Sequence, residues 1–422
     1  MKLVLASIAT GIGPSDMATF LSFLDLPIPK SFLSQTFQRI ENLIGKSIIK
    51  IGKESMDEAL LEEIQAETGL NQEEWEKTIN STGLNASYDM GWSKRSSGNR
   101  FDSISGHAFL IGCLCKKVLA TQIASKKCSF CDKAAAKGDP IEPHDCTLNH
   151  EGSSKAMEAD GLLQILTRLH EKHDGKVHIK AVVSDDDTTM KTVVRHESSV
   201  AKKGRLPAEI PEPKWLVDPG HRIKVVAGKM YALANANKSQ STCTNLDATR
   251  FKMNFGYMLK RNRNKTLEDI SKGSKAVIRH AFDDHQFCEE EWCMPTRKKR
   301  KISHLPNESI ATDDRRPDNT SHPPQSERPS YYCDIIAHRQ LYESLHPFDT
   351  QVNEMLNHLV AKYAPKNKCL GTTLALTHRV YVALGVHNLG HLNFWKRVYQ
   401  DLQMAMSTLL QNHLSDKDKK NR

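Results

Sequence analysis

The chain has 422 residues, enough to bury a sizeable core and to hold two or three structural units. Its formal charge of +9 and isoelectric point near 8.9 favour a polyanionic partner, of which nucleic acid is the first candidate, without naming one. No apolar run approaches the roughly 20 residues of a membrane-spanning helix, so no membrane partner is expected.

The opening MKLVLASIATGIG carries the lysine and apolar run of a weak signal peptide, but amphipathic sequence follows, and it reads as the first helix of a soluble protein. Residues 15–80 read as helical, and the pattern in MDEALLEEIQAETG stops at Gly69, a suitable residue just past a helix end. From about Ala86 the pattern changes to the strand-like runs SYDMGWSK, HAFLIGCLC and KVLATQIA. A Cys/His-rich stretch follows, and then SSKAMEADGLLQILTRLHEKH, where Leu162, Ile165, Leu166 and Leu169 mark one buried helical stripe. The strand VHIKAVVS and a short helix TTMKTVVRH come next. Three strands, helix, strand, helix is the order of a mixed α/β sheet.

Beyond residue 230 the chain reads as more helical. Residues 296–330 are polar and Pro-rich and bury too little apolar surface to order themselves. Their basic run, with Lys298, Lys299 and Arg300, reads equally as a nuclear localisation signal, a DNA-contacting patch or a solvated linker. Structure is expected to resume at YYCDIIAHRQLYESLHP and QVNEMLNHLVAKYAPK, the latter a helix that Pro365 ends.

Two Cys/His groups offer metal ligands. Cys128 and Cys131 form a Cys-x-x-Cys pair, followed by His144, Cys146 and His150; the set Cys128, Cys131, Cys146 and His150 has a spacing suited to structural zinc. A redox pair or two unrelated buried thiols are the alternatives. A second group, His280, His285, Cys288 and Cys293, offers another four donors, with the surrounding acids reading also as a solvated face.

The acids pose a sharper question. Asp185, Asp186 and Asp187 stand in a row where a strand ends, and two carboxylates about 4 Å apart repel by roughly 4 kcal/mol at an effective dielectric of 20. Such a cluster calls for protonation, exposure or a cation. Asp89 lies inside the first strand, and Glu354 lies on a late helix flanked by amides rather than by a routine lysine partner.

Taken in order, these motifs resemble those of Mutator-like transposases over about residues 10 to 395. YDMGWSKR resembles the motif of the first catalytic aspartate, Asp89; VVSDDDTT that of the second, Asp185; and TQVNEMLN followed by Pro-Lys that of the glutamate, Glu354. DPGH, Asp218 to His221, is similar to the family's Cys/Asp-x-x-His signature, and HDCTLNHEGSSKAME to its Cys/His stretch. The resemblance implies a ribonuclease H-like mixed sheet with flanking helices, interrupted by a Cys/His insert and by a helical insertion before the last catalytic helix. On that layout residues 1–85 are an N-terminal helical region, and 86–230 the first part of the core with its insert near 113–150. Residues 231–295 are the insertion, 296–330 the linker, and 331–410 the part of the core that carries Glu354.

It also implies an Asp-Asp-Glu DNA transposase, acting in the nucleus on transposon ends and target DNA as a homo-oligomer. Three carboxylates suit two Mg²⁺ or Mn²⁺ ions. Asp187 either supports those ligands or caps the next helix, and Asp218 and His221 either support the site and position DNA or form a tight turn. Lys260, Arg261 and Arg263 in MLKRNRNK are expected to contact phosphates along with the basic run. The alternative is a catalytically inactive or domesticated, transposase-derived nuclear DNA-binding protein.

Overall fold

Three consecutive segments rich in buried side chains build the first strands, β1 (Thr82–Trp92), β2 (Ser105–Gly112), which is buried on both faces, and β3 (Val118–Ser125). β1 pairs antiparallel with β2, and β2 with β3. The chain then crosses over and returns as β4 (Val177–Ser184), parallel to β1, and β5 (Lys214–Val217) completes a five-stranded mixed sheet of order β3-β2-β1-β4-β5. The computed structural model describes residues 1–27, 35–78, 81–94, 103–185, 188–194, 206–236, 244–263, 265–280, 285–289, 293 and 346–420. Asp186, Asp187, Lys298, Lys299, Arg300 and the 296–330 segment lie outside the described residues.

The chain divides into two units, residues 1–215 with 350–422, and residues 216–349. In the first, α1 (Lys2–Thr10), α2 (Pro14–Ser22) and α3 (Gln35–Thr68) precede the sheet, with Gly69 in the left-handed conformation directly after α3. A short helix, α4 (Gln72–Thr78), leads into β1. Leu84, Ala86, Tyr88 and Met90 of β1, with Ala108 and Leu110 of β2, point to one core, filled from α6 (Ser154–Lys172) by Leu162, Ile165, Leu166 and Leu169. Phe109 and Ile111 of β2 point to the opposite core. That core is filled by α1 to α3 and by α11 (Gln351–Tyr363), α12 (Ala375–Leu389) and α13 (His391–Asp401). A last helix, α14 (Thr408–Lys420), follows, and two further helices, α5 (Ser129–Lys137) and α7 (Thr188–Val193), lie in the Cys/His stretch and after β4.

Two buried polar side chains tie the helices to the sheet. Asn388 of α12 accepts from the Val118 amide at 2.9 Å and donates to its carbonyl at 3.0 Å, so a side chain stands beside β3 where a neighbouring strand would bond. Glu63 of α3 accepts from the amides of Leu114 and Cys115 at 3.0 and 2.7 Å and fixes the β2–β3 turn.

The second unit is helical, with α8 (Pro219–Ala236), α9 (Asn245–Arg261) and α10 (Leu267–His280) packed through Val226, Met230, Phe251, Phe255 and Val277. Among the described residues, no single helix is long and apolar enough to cross a membrane.

Candidate functional site

The parallel pairing of β1 with β4 sets two of the acids side by side. Ser87 pairs with Val183. Two residues further along each strand's direction come Asp89 and Asp185, at the same end of adjacent strands. Adjacent strands lie about 4.8 Å apart, so this register by itself makes the two carboxylates neighbours. Asp89 is half-buried on the face that α11 covers, whereas Asp185 is exposed directly after β4.

α11 brings the third acid. Its buried Asn353 accepts from the Ser87 hydroxyl at 2.7 Å and donates to the Phe109 carbonyl at 3.0 Å. One turn later, Asn357 Nδ2 donates to Asp89 Oδ2 at 2.7 Å. Asn353 and Asn357 thus share the face turned to the sheet, and Glu354, between them in sequence, is exposed in the first turn of the helix, where the dipole favours a negative charge. Close approach of α11 requires a glycine on β1: a Cβ at Gly91 would lie 2.5 Å from Asn357 Oδ1 and 2.4 Å from His107 Nε2.

The electrostatics couple the same three acids. Burial pushes the Asp89 carboxyl up to about 6; the charge of Asp185 and then that of Glu354 add to it, while the Met90 amide and Asn357 oppose. Among the described residues, the carboxylate oxygens of Asp89, Asp185 and Glu354 do not close to within 4.8 Å of one another as the Cys/His groups do. His107, buried beside Asn357, is held down to about 4 by burial and then by Lys366.

Asp218 and His221 lie in the helical unit. Asp218, buried, accepts from the His221 amide at 2.6 Å at the start of α8, with Pro219 at the first helical position. That is a helix cap, and it accounts for the DPGH motif locally. In the same unit Arg261 is paired with Glu289 through Nε and Nη2, each at 3.1 Å, while Lys260 is exposed and Arg263 half-exposed.

The first Cys/His group differs from the spacing expectation in one ligand. Cys128, Cys131, His144 and Cys146 place their ligand atoms within 4.8 Å of one another. His144 Nε2 lies 3.3 Å from Cys128 Sγ and 3.5 Å from Cys131 Sγ, and Cys131 Sγ lies 3.6 Å from Cys146 Sγ. Zinc with Zn–N near 2.05 Å and Zn–S near 2.3 Å needs tetrahedral edges of about 3.6 Å for N–S and about 3.8 Å for S–S, so these separations suit it. His144 Nδ1 donates to the Glu142 carbonyl at 2.8 Å, which leaves Nε2 as the ligand atom.

His150 is not part of this group. Its Nε2 donates to the Ser153 carbonyl at 3.1 Å and its Nδ1 faces Asp160 Oδ2 at 3.1 Å, so both nitrogens are used at the start of α6. Burial opposes charge on Cys128, but the amides of Cys131, Thr147 and Phe130 and the His144 ring outweigh it and bring the thiol down to about 5. His144 is correspondingly pushed up to about 9, first by the Glu142 carbonyl and then by Cys128. Cys128 and His144 thus each favour the charged form of the other, and a metal bound there would displace their protons to solvent.

The spacing missed His144 as a ligand, and it missed Asn353 and Asn357. The amides carried a usable signal, since two Asn at i and i+4 on one helix face argue for a polar partner on the element opposite. No curated protein and no solved structure matches the chain. A model of the Mutator-like transposase family matches residues 1–293, a stretch that includes Asp89, Asp185 and both Cys/His groups. The chain belongs to the Mutator-like transposase family.

Proposed function

We propose that this chain is a DNA transposase of the Asp-Asp-Glu type, with Asp89, Asp185 and Glu354 as the residues that hold its divalent ions. The observation that carries the reading is the β1–β4 register, which sets Asp89 beside Asp185, joined to the Asn357–Asp89 hydrogen bond, which ties the helix of Glu354 to the same strand. A meander of three antiparallel strands extended through β4 to β5 agrees with a ribonuclease H-like core.

The donor set fits Mg²⁺ or Mn²⁺. Carboxylate oxygens are the hard ligands these ions take, and Asp89, raised first by burial and then by the charges of Asp185 and Glu354, is a group whose ionised form a cation would favour. When bound, two such ions supply Lewis-acid activation of water or a DNA 3′-hydroxyl and stabilise the leaving oxygen. The chain's own residues do the rest. Asn357 holds Asp89 in one orientation and favours its ionised form, Asn353 fixes the height of α11 on the sheet, and the exposed Asp185 and Glu354 leave the site open to a phosphodiester. The same site serves hydrolysis at the element ends and strand transfer into target DNA, within a homo-oligomer in the nucleus.

Lys260 and Arg263 are the described basic residues assigned here to phosphate contacts, while Arg261 is partly committed to Glu289. The Cys128, Cys131, His144 and Cys146 group holds structural zinc. The test is nicking of supercoiled DNA in Mn²⁺ by wild type, Asp89→Asn and Glu354→Gln, with folding followed by circular dichroism. Wild type nicks and both variants, folded, do not. A wild type that binds DNA without nicking it would support the domesticated DNA-binding protein instead.

A further inference from the structure

Four side chains outside the acidic site converge in the helical unit. His280 is the last residue of α10, and His285, Cys288 and Cys293 follow it in the chain. Their ligand atoms lie within 4.8 Å of one another. The two Nδ1 atoms are 3.1 Å apart; Cys288 Sγ lies 3.4 and 3.8 Å from His280 and His285, and Cys293 Sγ 3.9 and 3.2 Å from the same two rings.

A tetrahedral zinc with Zn–N near 2.05 Å and Zn–S near 2.3 Å requires an N–N edge of about 3.3 Å and N–S edges of about 3.6 Å. The four N–S separations average about 3.6 Å, the tetrahedral value. Hydrogen bonding explains these contacts only one at a time, because each nitrogen of a neutral imidazole either donates or accepts. One shared cation explains all five. Two thiolates and two neutral imidazoles exactly neutralise a divalent ion, and a tetrahedral N₂S₂ set selects zinc over the hard cations suited to the acids. Cys293 is buried and the other three are half-buried, as in a closed structural site.

The surroundings say what the metal would do. Between His285 and Cys293 stand Phe287 and Glu289. The Phe287 ring lies 5.1 Å from the Arg279 guanidinium, and Glu289 is the partner of Arg261 on α9. Phe287, Glu289 and Arg261, with Tyr257, Lys260 and His280, line a cavity of about 490 Å³.

We propose that His280, His285, Cys288 and Cys293 form a second, Cys₂His₂ zinc site, which ties residues 285–289 and Cys293 to the end of α10 and closes one wall of that cavity. On binding, the two thiols release their protons to solvent and their sulfurs ligate the ion.

The full chain, reduced, loaded with excess zinc and then desalted, is measured for bound zinc, and loaded with Co²⁺ for its thiolate-to-metal absorption. Two zinc ions per chain are expected. Cys288→Ser with Cys293→Ser removes one ion and the smaller, two-thiolate part of the cobalt band; Cys131→Ser with Cys146→Ser removes the other. His285→Ala loses the second ion and His285→Cys restores it, which separates ligation from misfolding. Hydrogen exchange at 285–289 is expected to rise at least tenfold when this ion is lost. A chain whose zinc content is unchanged by Cys288→Ser with Cys293→Ser overturns the proposal, as does a folded chain that takes up no zinc. Either result leaves the acidic site unaddressed, because that site is read out by nicking.

Discussion

Asn357 Nδ2 donates to Asp89 Oδ2 at 2.7 Å, joining the helix that carries Glu354 to the strand that carries Asp89. The bond favours the ionised carboxylate against burial and two like charges. Asn357→Ala removes it, so the Asp89 carboxyl moves further above about 6. A change of one pKa unit is about 1.4 kcal/mol, or tenfold in the ratio of ionised to protonated carboxyl. For a rise of about one unit, nicking in Mn²⁺ is therefore expected to fall about fivefold at pH 6 and only slightly at pH 8. A loss equal at all pH values would place the role of Asn357 in positioning alone.

His144 and His150 are six residues apart and have opposite fates. His144→Ala removes a direct ligand and is expected to weaken zinc binding at the first Cys/His group by more than the roughly 10- to 100-fold that loss of a ligand's outer partner costs. His150→Ala is expected to leave that zinc in place and to cost about 1–2 kcal/mol at the start of α6, through its lost bond to the Ser153 carbonyl. Competition with a chelating dye measures the first effect, and urea denaturation the second. Zinc loss in His150→Ala with His144→Ala unaffected would restore the ligand set expected from spacing.

The buried pair of Arg379 on α12 and Glu41 on α3 holds the two helices together. Glu41→Ala leaves the buried guanidinium with, among the described residues, the Ala375 carbonyl of its own helix at 3.1 Å, and is expected to cost about 3–5 kcal/mol. Replacing both, Glu41→Leu with Arg379→Met, is expected to cost far less than the sum of the single changes. Urea midpoints decide, and additive losses would contradict the pairing.

His378, also on α12, is held down to about 4 by burial and then by the Arg379 charge. Its folded value lies below the unfolded value of 6.5, so its contribution is complete above pH 6.5 and is lost as pH falls towards 4. The full effect is on the order of 3 kcal/mol. Asp89 acts with the opposite sign, because its folded value is raised from 3.8 to about 6 and protonation relieves its repulsion as pH falls through 6. Comparing wild type with His378→Gln isolates the histidine: the variant should lose less stability than wild type between pH 6.5 and pH 4. Parallel pH profiles would contradict the buried neutral ring.

The strands of the sheet that carry alternating or continuous apolar runs were legible in the sequence, as were the stripe of α6, the end of α3 at Gly69 and the end of α11 before Pro365. β5 was not, since its four residues between Pro213 and Pro219 are too short to show a period. α12 was also hidden, because it is buried on nearly every side and so has no amphipathic stripe. Spacing favoured His150 over His144 as the fourth ligand, and tertiary contacts reverse that choice: the α6 segment takes both nitrogens of His150. The acids stood out by residue type, but the β1–β4 register that pairs two of them is a property of the folded sheet.

Strand transfer and nicking by wild type and Asp185→Asn, in Mn²⁺ and with matched circular dichroism and DNA binding, are the most direct test of the acidic site. Wild type is expected to cut and join DNA while the folded, DNA-binding Asp185→Asn variant does neither. Equal activity in the two proteins would contradict that expectation.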